Sequence, residues 1–323
     1  MRAAPYDRRA YLVLADALMA KGDAWGELIG LQCALEGESD SSRFLTRLKA
    51  IEALREKLTP RLLGDAWTWN QRLKLEWAYG FVRRVTIEYL PEAPMRSSVS
   101  ALLGAPGLAA LQGLTAWHLE REGGGDFATF TTLLTELLPP SIRELRLGGV
   151  GALDRLLAAH PAVEELELMY AKNAFVGPAE PKLKALHLAD CGPAAWHWLE
   201  TASWPELKVL EAQAEDRDRS LAEALTPMRF PKLERLVLGL ESIDSFLRGL
   251  EPEVLRGLKM MELTGDYGDA ALEALVAART RLHKMKRVSL TGTSHASRRL
   301  AAVVQRQLPN VTLAVTARRH RSR

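Results

Sequence analysis

An apolar pattern of the form Leu-x-x-Leu-x-Leu returns along the second half of the chain. It reads Ile142-Arg143-Glu144-Leu145-Arg146-Leu147, then Val163-Glu164-Glu165-Leu166-Glu167-Leu168, then Leu183-Lys184-Ala185-Leu186-His187-Leu188. Shortened or altered forms follow at Leu207-Lys208-Val209-Leu210, Leu233-Glu234-Arg235-Leu236-Val237-Leu238, Leu258-Lys259-Met260-Met261-Glu262-Leu263 and Met285-Lys286-Arg287-Val288-Ser289-Leu290. The central residues Leu145, Leu166, Leu186, Leu210, Leu236, Met261 and Val288 stand roughly 20 to 27 residues apart. Alternation within each motif predicts a short strand whose leucines face a core while the residues between them face out. Helical return segments are expected over residues 127–138, 153–159, 194–201, 220–225, 243–250, 269–278 and 296–308. Prolines at 140, 161, 181, 205 and 231 precede several strands, where a missing N–H breaks no ladder bond.

A strand and a return segment repeated at that interval are the mark of leucine-rich repeats. The expected fold is therefore α/β, a solenoid with a curved parallel sheet on its concave side and helices on its convex side, over residues 65–316. Val82-Arg83-Arg84-Val85-Thr86-Ile87 and Leu114-Thr115-Ala116-Trp117-His118-Leu119 read as degenerate early members, and Val311-Thr312-Leu313-Ala314-Val315 as a last edge strand. Terminal repeats depart from the pattern because they shield the core from water. Trp67, Trp69 and Trp77 are expected to plug the first repeat. No asparagine ladder follows the strands, and the repeat lengths are irregular.

Residues 1–64 have a different texture. Leu12, Leu14 and Leu18 recur at helical spacing before Gly22. Asp23 can cap a second helix carrying Trp25, Leu28, Ile29, Leu31 and Leu35. A third begins at Ser41 or Ser42, with Phe44, Leu45, Leu48, Ile51, Leu54 and Leu58 along one side and Pro60 ending or bending it. An N-terminal all-α unit results. Within it, Leu14-Ala15-Asp16-Ala17-Leu18, Lys21-Gly22-Asp23 and Gly26-Glu27-Leu28-Ile29-Gly30-Leu31-Gln32 resemble the repeat-companion domain that precedes leucine-rich repeats in certain bacterial proteins. The Tyr79-Gly80-Phe81-Val82 step resembles the Gly-Phe junction of such proteins. The resemblance covers about the first 36 residues and departs at Ala17, where the pattern favours tryptophan. It implies a bacterial leucine-rich-repeat protein and brings no chemistry with it.

Charge adds little direction. Lysine and arginine number 43 against 40 acidic residues, a net of +3, so no global field calls for nucleic acid or an anionic surface. Two cysteines, Cys33 and Cys191, are too few for a disulfide framework. The apolar run 11–20 is interrupted by Asp16 and lacks a cleavage site, and no run reaches membrane-spanning length. A cytoplasmic monomer without cofactor or metal is expected.

Enzymatic chemistry does not assemble. Asp23 reads as a helix cap, Asp16 as a turn residue and Glu27 as a local pairing partner, not as convergent acids. His118 and His187 have no nucleophile at a matching position. Asp190-Cys191-Gly192-Pro193 resembles the catalytic neighbourhood of repeat-bearing bacterial ubiquitin ligases, and Leu138-Pro139-Pro140 their repeat opening. Those enzymes hold the cysteine in a separate helical domain, so Cys191 is expected to be a buried thiol at a turn. Residues 123–125, all glycine, lack the lysine of a phosphate loop, and 265–269 is too short for a calcium loop.

The outward strand positions remain as the candidate site. Glu144, Arg146, Glu165, Glu167, Met169, His187, Glu211, Arg235 and Glu262 make a mostly polar concave face with apolar spots, suited to a protein partner. The bland alternative is a solvated sheet face with cross-strand pairs such as Arg146 with Glu165 or Glu167. The expected function is a non-enzymatic interaction module or scaffold. One alternative is a regulator of an enzyme, such as a GTPase-activating scaffold that inserts an arginine. Another is nucleic-acid contact through the basic tail 317–323, where the arginines lack interleaved aromatics.

Overall fold

The computed structural model of the chain describes residues 7–88, 95–116, 127–172, 175–214 and 218–315. Eleven strands and twelve α-helices are found among them, an α/β architecture. The chain divides into two compact units, the first ending at Val163 and the second starting at Glu164. The expected basic tail 317–323 lies outside the described residues, as do Trp117, His118, Leu119, Glu120, the glycines 123–125 and the side chain of Trp69.

The first unit opens with three helices set by aspartate caps. Asp7 accepts from the Arg9 N–H at 3.0 Å ahead of α1 (Arg8–Met19). Asp23 accepts from the Trp25 N–H at 2.8 Å ahead of α2 (Ala24–Leu35). Asp40, a residue ahead of the expected start, accepts from the Arg43 N–H at 2.9 Å and opens α3 (Ser41–Leu63). Pro60 lies within the last turn of α3, and the helix runs on to Leu63. Of the expected stripe on α3, Ile51 and Leu58 are buried, whereas Phe44 and Leu45 are exposed. Gly26 lets α1 and α2 approach closely, since a Cβ there would lie 2.5 Å from the Ala15 carbonyl oxygen.

The helices dock on a hairpin whose first strand the repeat pattern does not contain. Strand β1 (Leu73–Ala78) pairs antiparallel with β2 (Phe81–Ile87) around Tyr79-Gly80. Gly80 has φ 77°, and any side chain there would strike Ile29 Cγ1 at 2.4 Å. Its carbonyl accepts from Trp25 Nε1 at 2.7 Å, and its N–H donates to Gln32 Oε1. Tyr11, Ala15, Ile29, Cys33 and Phe81 close the core between the helices and the turn. Trp77 packs on a neighbouring cluster of Leu28, Ile51, Leu58 and Leu62, with the Arg55 guanidinium 5.6 Å above its ring. The unit is completed by β3 (Gly113–Ala116) and β4 (Glu144–Leu147), both parallel to β2.

Tyr79 makes this junction sensitive to alkali. Its ring stacks on Tyr11 at 4.9 Å, the buried Arg83 guanidinium sits 5.5 Å from its centroid, and its hydroxyl donates to Glu36. Burial, aided by the Glu36 carboxylate, pushes its ionisation from 10.0 up to about 12. A group whose folded pKa is raised stabilises the fold fully below its unfolded pKa and loses that contribution as pH climbs to the folded value. Denaturation midpoints should therefore fall between pH 10 and about 12. Tyr79→Phe should flatten that fall; an unchanged slope in the variant would assign it to other groups.

The second unit holds β5 (Glu165–Met169), β6 (Ala185–Ala189), β7 (Val209–Ala214), β8 (Arg235–Ser242), β9 (Met260–Asp266), β10 (Arg287–Gly292) and β11 (Val311–Val315). Each runs parallel to its sequence neighbour. Leu166, Leu186, Leu210, Leu236, Met261 and Val288 stand opposite one another from strand to strand, each 0% exposed. Burying such a side chain is worth about 1.5–3 kcal/mol, so this row is a principal source of cohesion. Helices Pro193–Thr201, Asp218–Ala224, Ile243–Gly249, Asp269–Ala277 and Arg298–Gln307 fill the return segments.

Neighbouring strand–helix steps are tied by side chains. The buried Asp218 accepts from the N–H groups of Glu241 at 3.2 Å and Ser242 at 2.6 Å. One step on, Asp244 Oδ1 accepts from Gly268 at 3.1 Å and Ala271 at 2.7 Å. Asp269 then accepts from the Ser297 N–H at 2.6 Å. These aspartates, each in the first turn of its helix, form an acidic ladder where the sequence offered no asparagine ladder. At another corner Trp204 packs 4.8 Å from Trp198, and Arg229 donates to the carbonyls of Leu199, Ala202 and Ala224.

Candidate interaction surface

Strand pleating turns every second side chain outward, and parallel register lines these up in rows. One row of the second unit is Glu165, Ala185, Val209, Arg235, Met260 and Arg287. Beside it runs Glu167, His187, Glu211, Val237, Glu262 and Ser289. Glu211 is the hub. Its Oε2 is 3.0 Å from His187 Nδ1, and its Oε1 is 3.0 Å from Arg235 Nη2. His187 Nε2 lies 4.0 Å from Glu165 Oε1, so the imidazole stands between carboxylates of the two strands that flank β6 and is hydrogen-bonded to that of Glu211. Further along, Arg287 Nε is 3.5 Å from Glu262 Oε1.

These rows border a groove of about 650 Å³ across β5 to β9. Glu167, Met169, His187, Glu211 and Val237 line it, together with Ala189, Gln213, Gly239, Thr264 and Gly265 nearer the strand ends. Its described lining contains two carboxylates and one imidazole, and neither lysine nor arginine. Small residues open the space: Ala189 and Gly239 occupy outward positions of β6 and β8, flanked by Met169, Gln213 and Thr264. The signal for Gly239 and Thr264 was available in the alternation, carried one step past the last leucine of each motif; Gly265, one residue further on, was not marked by it.

Of the nine expected contact residues, Glu167, Met169, His187 and Glu211 line this groove, and Glu165 and Arg235 brace it through His187 and Glu211. Glu262 lies in the same row, paired with Arg287. Glu144 and Arg146 belong to the first unit, in a separate cavity of about 300 Å³ with Glu76, Arg84, Thr86 and Thr115. There Arg84 forks onto Glu144 through Nε at 2.9 Å and Nη2 at 2.6 Å. The guanidinium reaches two strands away because Gly113 lies between; a Cβ there would meet Arg84 Cγ at 2.8 Å. This pairing raises the Arg84 pKa above its ordinary value, with Glu144 the main cause. Charge in this cavity is largely neutralised internally.

Cys191 lies beside β6, with Asp190 before it at φ 50°. Burial pushes its thiol up to about 11, and Sγ contacts the Leu168 carbonyl at 3.3 Å. Cys33 is fully buried, and burial raises its pKa too. Both arrangements oppose thiolate formation. Neither cysteine should react quickly with a disulfide reagent at pH 8 until the chain is unfolded; a fast-reacting native thiol would contradict this. No group of three or more His, Cys, Asp or Glu among the described residues is placed to hold a metal ion. No helix among them is long and apolar enough to cross a membrane.

Set against protein-family models and against curated proteins, the chain finds no match.

Proposed function

We propose that this chain is a bacterial leucine-rich-repeat protein, with residues 1–64 as its all-α companion unit and the repeats as a non-enzymatic surface for a protein partner. The observation that carries this reading is the groove of β5 to β9, walled by Glu167, Met169, His187, Glu211 and Val237. Partner docking on such a face uses apolar spots for affinity and charges for register and encounter rate. The resemblance of the first residues to the repeat-companion domain has its support in Asp23, Gly26 and Gln32. They act, respectively, as a helix cap, a point of close helix approach and a hydrogen-bond partner of Gly80. Affinity capture from the host, comparing the natural chain with a Glu165→Arg, Glu167→Arg, Glu211→Arg variant of unchanged circular dichroism, tests the reading. A partner lost by the variant is the expected result. An identical set of captured proteins would remove the face from consideration.

A further inference from the structure

We infer that the helix-bearing side of the second unit carries a site for a medium-chain aliphatic carboxylate, independent of the partner face. The site is a pocket of about 300 Å³ between two neighbouring return segments. Both segments break there. Helix Ile243–Gly249 is followed by a separate short turn, Pro252–Arg256, and helix Asp269–Ala277 by another, Arg279–Leu282. Pro252 lacks the N–H that would continue the first helix. The floor is Leu250, Leu255, Leu275 and Leu282 with Met261 of β9, all buried. Met261 belongs to the inward apolar row, so the pocket lies on the side of the sheet away from Glu167, His187 and Glu211. Small side chains at Ala274, Ala277 and Ala278 leave the space above that floor open.

Chemistry and size select the ligand. The floor is aliphatic apart from the thioether of Met261, which adapts readily to a hydrocarbon tail. The described lining has two arginines and no carboxylate. Arg281 is already held, with Nη2 2.9 Å from Glu253 Oε1. Glu253 is shared with Arg256, at 3.7 Å, and so adds no net negative charge to the rim. Arg248 is different: its Nε donates to the Asp244 carbonyl at 3.1 Å, and no acid pairs with its guanidinium among the described residues. The Asp244 carboxylate itself accepts from Gly268 and Ala271. An anion at the mouth therefore meets a guanidinium whose charge is unanswered and whose outer nitrogens suit a carboxylate. Pockets for small molecules combine apolar walls with a few such polar groups. A dry cavity of about 150 Å³ holds benzene, so one of about 300 Å³ holds about a dozen heavy atoms, the size of decanoate.

Isothermal titration calorimetry of the full chain with hexanoate, octanoate, decanoate and tetradecanoate, each below its micelle-forming concentration, tests this. Affinity should climb about fourfold per methylene as far as decanoate and then level off, because further carbons stay in water. Arg248→Gln should weaken decanoate about fivefold and leave decanol, which carries no charge, unchanged. Ala274→Leu and, at a more exposed position, Ala277→Leu narrow the pocket from a helix that tolerates leucine. Each should abolish detectable binding of both ligands with circular dichroism unchanged, and either one suffices if the other misfolds. Absence of saturable binding, affinity still rising at tetradecanoate, or indifference of decanoate to Arg248→Gln or to a folded filling variant overturns the inference. If decanoate does not bind and sedimentation shows Ala274→Leu breaking a dimer, the pocket belongs to a second copy of the chain and the inference fails.

Discussion

Asp244→Ala should cost the second unit about 3 kcal/mol, because one carboxylate oxygen serves two backbone donors from the next strand–helix step and hydrogen bonds to a charged group are each worth about 1.5–3 kcal/mol. Those donors are the N–H groups of Gly268 and Ala271, at 3.1 and 2.7 Å. Alanine leaves both without their acceptor in a half-buried turn. Asparagine retains the accepting oxygen without the charge, so Asp244→Asn should lose roughly half as much or less. Urea denaturation of the three proteins checks the order. Equal losses for alanine and asparagine would mean that the charge, and not the acceptor geometry, matters. A negligible loss for alanine would remove the ladder as a source of cohesion. Since each strand–helix step contacts chiefly its neighbours, weakening one junction should also broaden the transition.

Gly292→Ala is expected to be at least as damaging, by about 3 kcal/mol or more, combining strained backbone with a direct clash. Gly292 has φ 153°, and a Cβ there would lie 1.9 Å from the Gly265 carbonyl oxygen. Gly265 repeats the situation one strand back, with φ 157° and a Cβ position 2.3 Å from the Leu240 carbonyl oxygen. The obstructing atoms are backbone, so no side-chain rotation relieves them. Strand β11 pairs only with β10 among the described residues, so it should be lost along with the end of β10. Hydrogen exchange should then reveal lost protection over residues 287–315, with strands β5 to β7 still protected. Uniform protection matching that of the natural chain would overturn the argument.

How much was legible beforehand depends on the range of the interaction. The seven apolar motif centres, from Leu145 to Val288, are all fully buried, because period-two alternation alone decides which face of a strand meets the core. The helices near 194–201, 243–250 and 269–278 were visible in the same local way. Strand β1 was not, since it belongs to no repeat and owes its conformation to antiparallel pairing with β2 and to packing against α2 and α3. The aspartate ladder also escaped notice: of its members only Asp269 stood at the start of an expected helix, and only the adjacent step supplies the partners of Asp218, Asp244 and Asp269.

The candidate contacts divide along the same line. Sequence by itself determined that Glu144, Arg146, Glu165, Glu167, Met169, His187, Glu211, Arg235 and Glu262 point outward, because pleating is a property of the strand alone. Which of them act together was decided only by the tertiary structure. Strand register joined Glu211 to His187 and Arg235, and Gly113 let Arg84 reach Glu144. Small outward residues at Ala189 and Gly239 opened the groove. Side-chain direction follows from one residue's neighbours along the chain, whereas a pocket is the space left between chains of residues far apart in sequence.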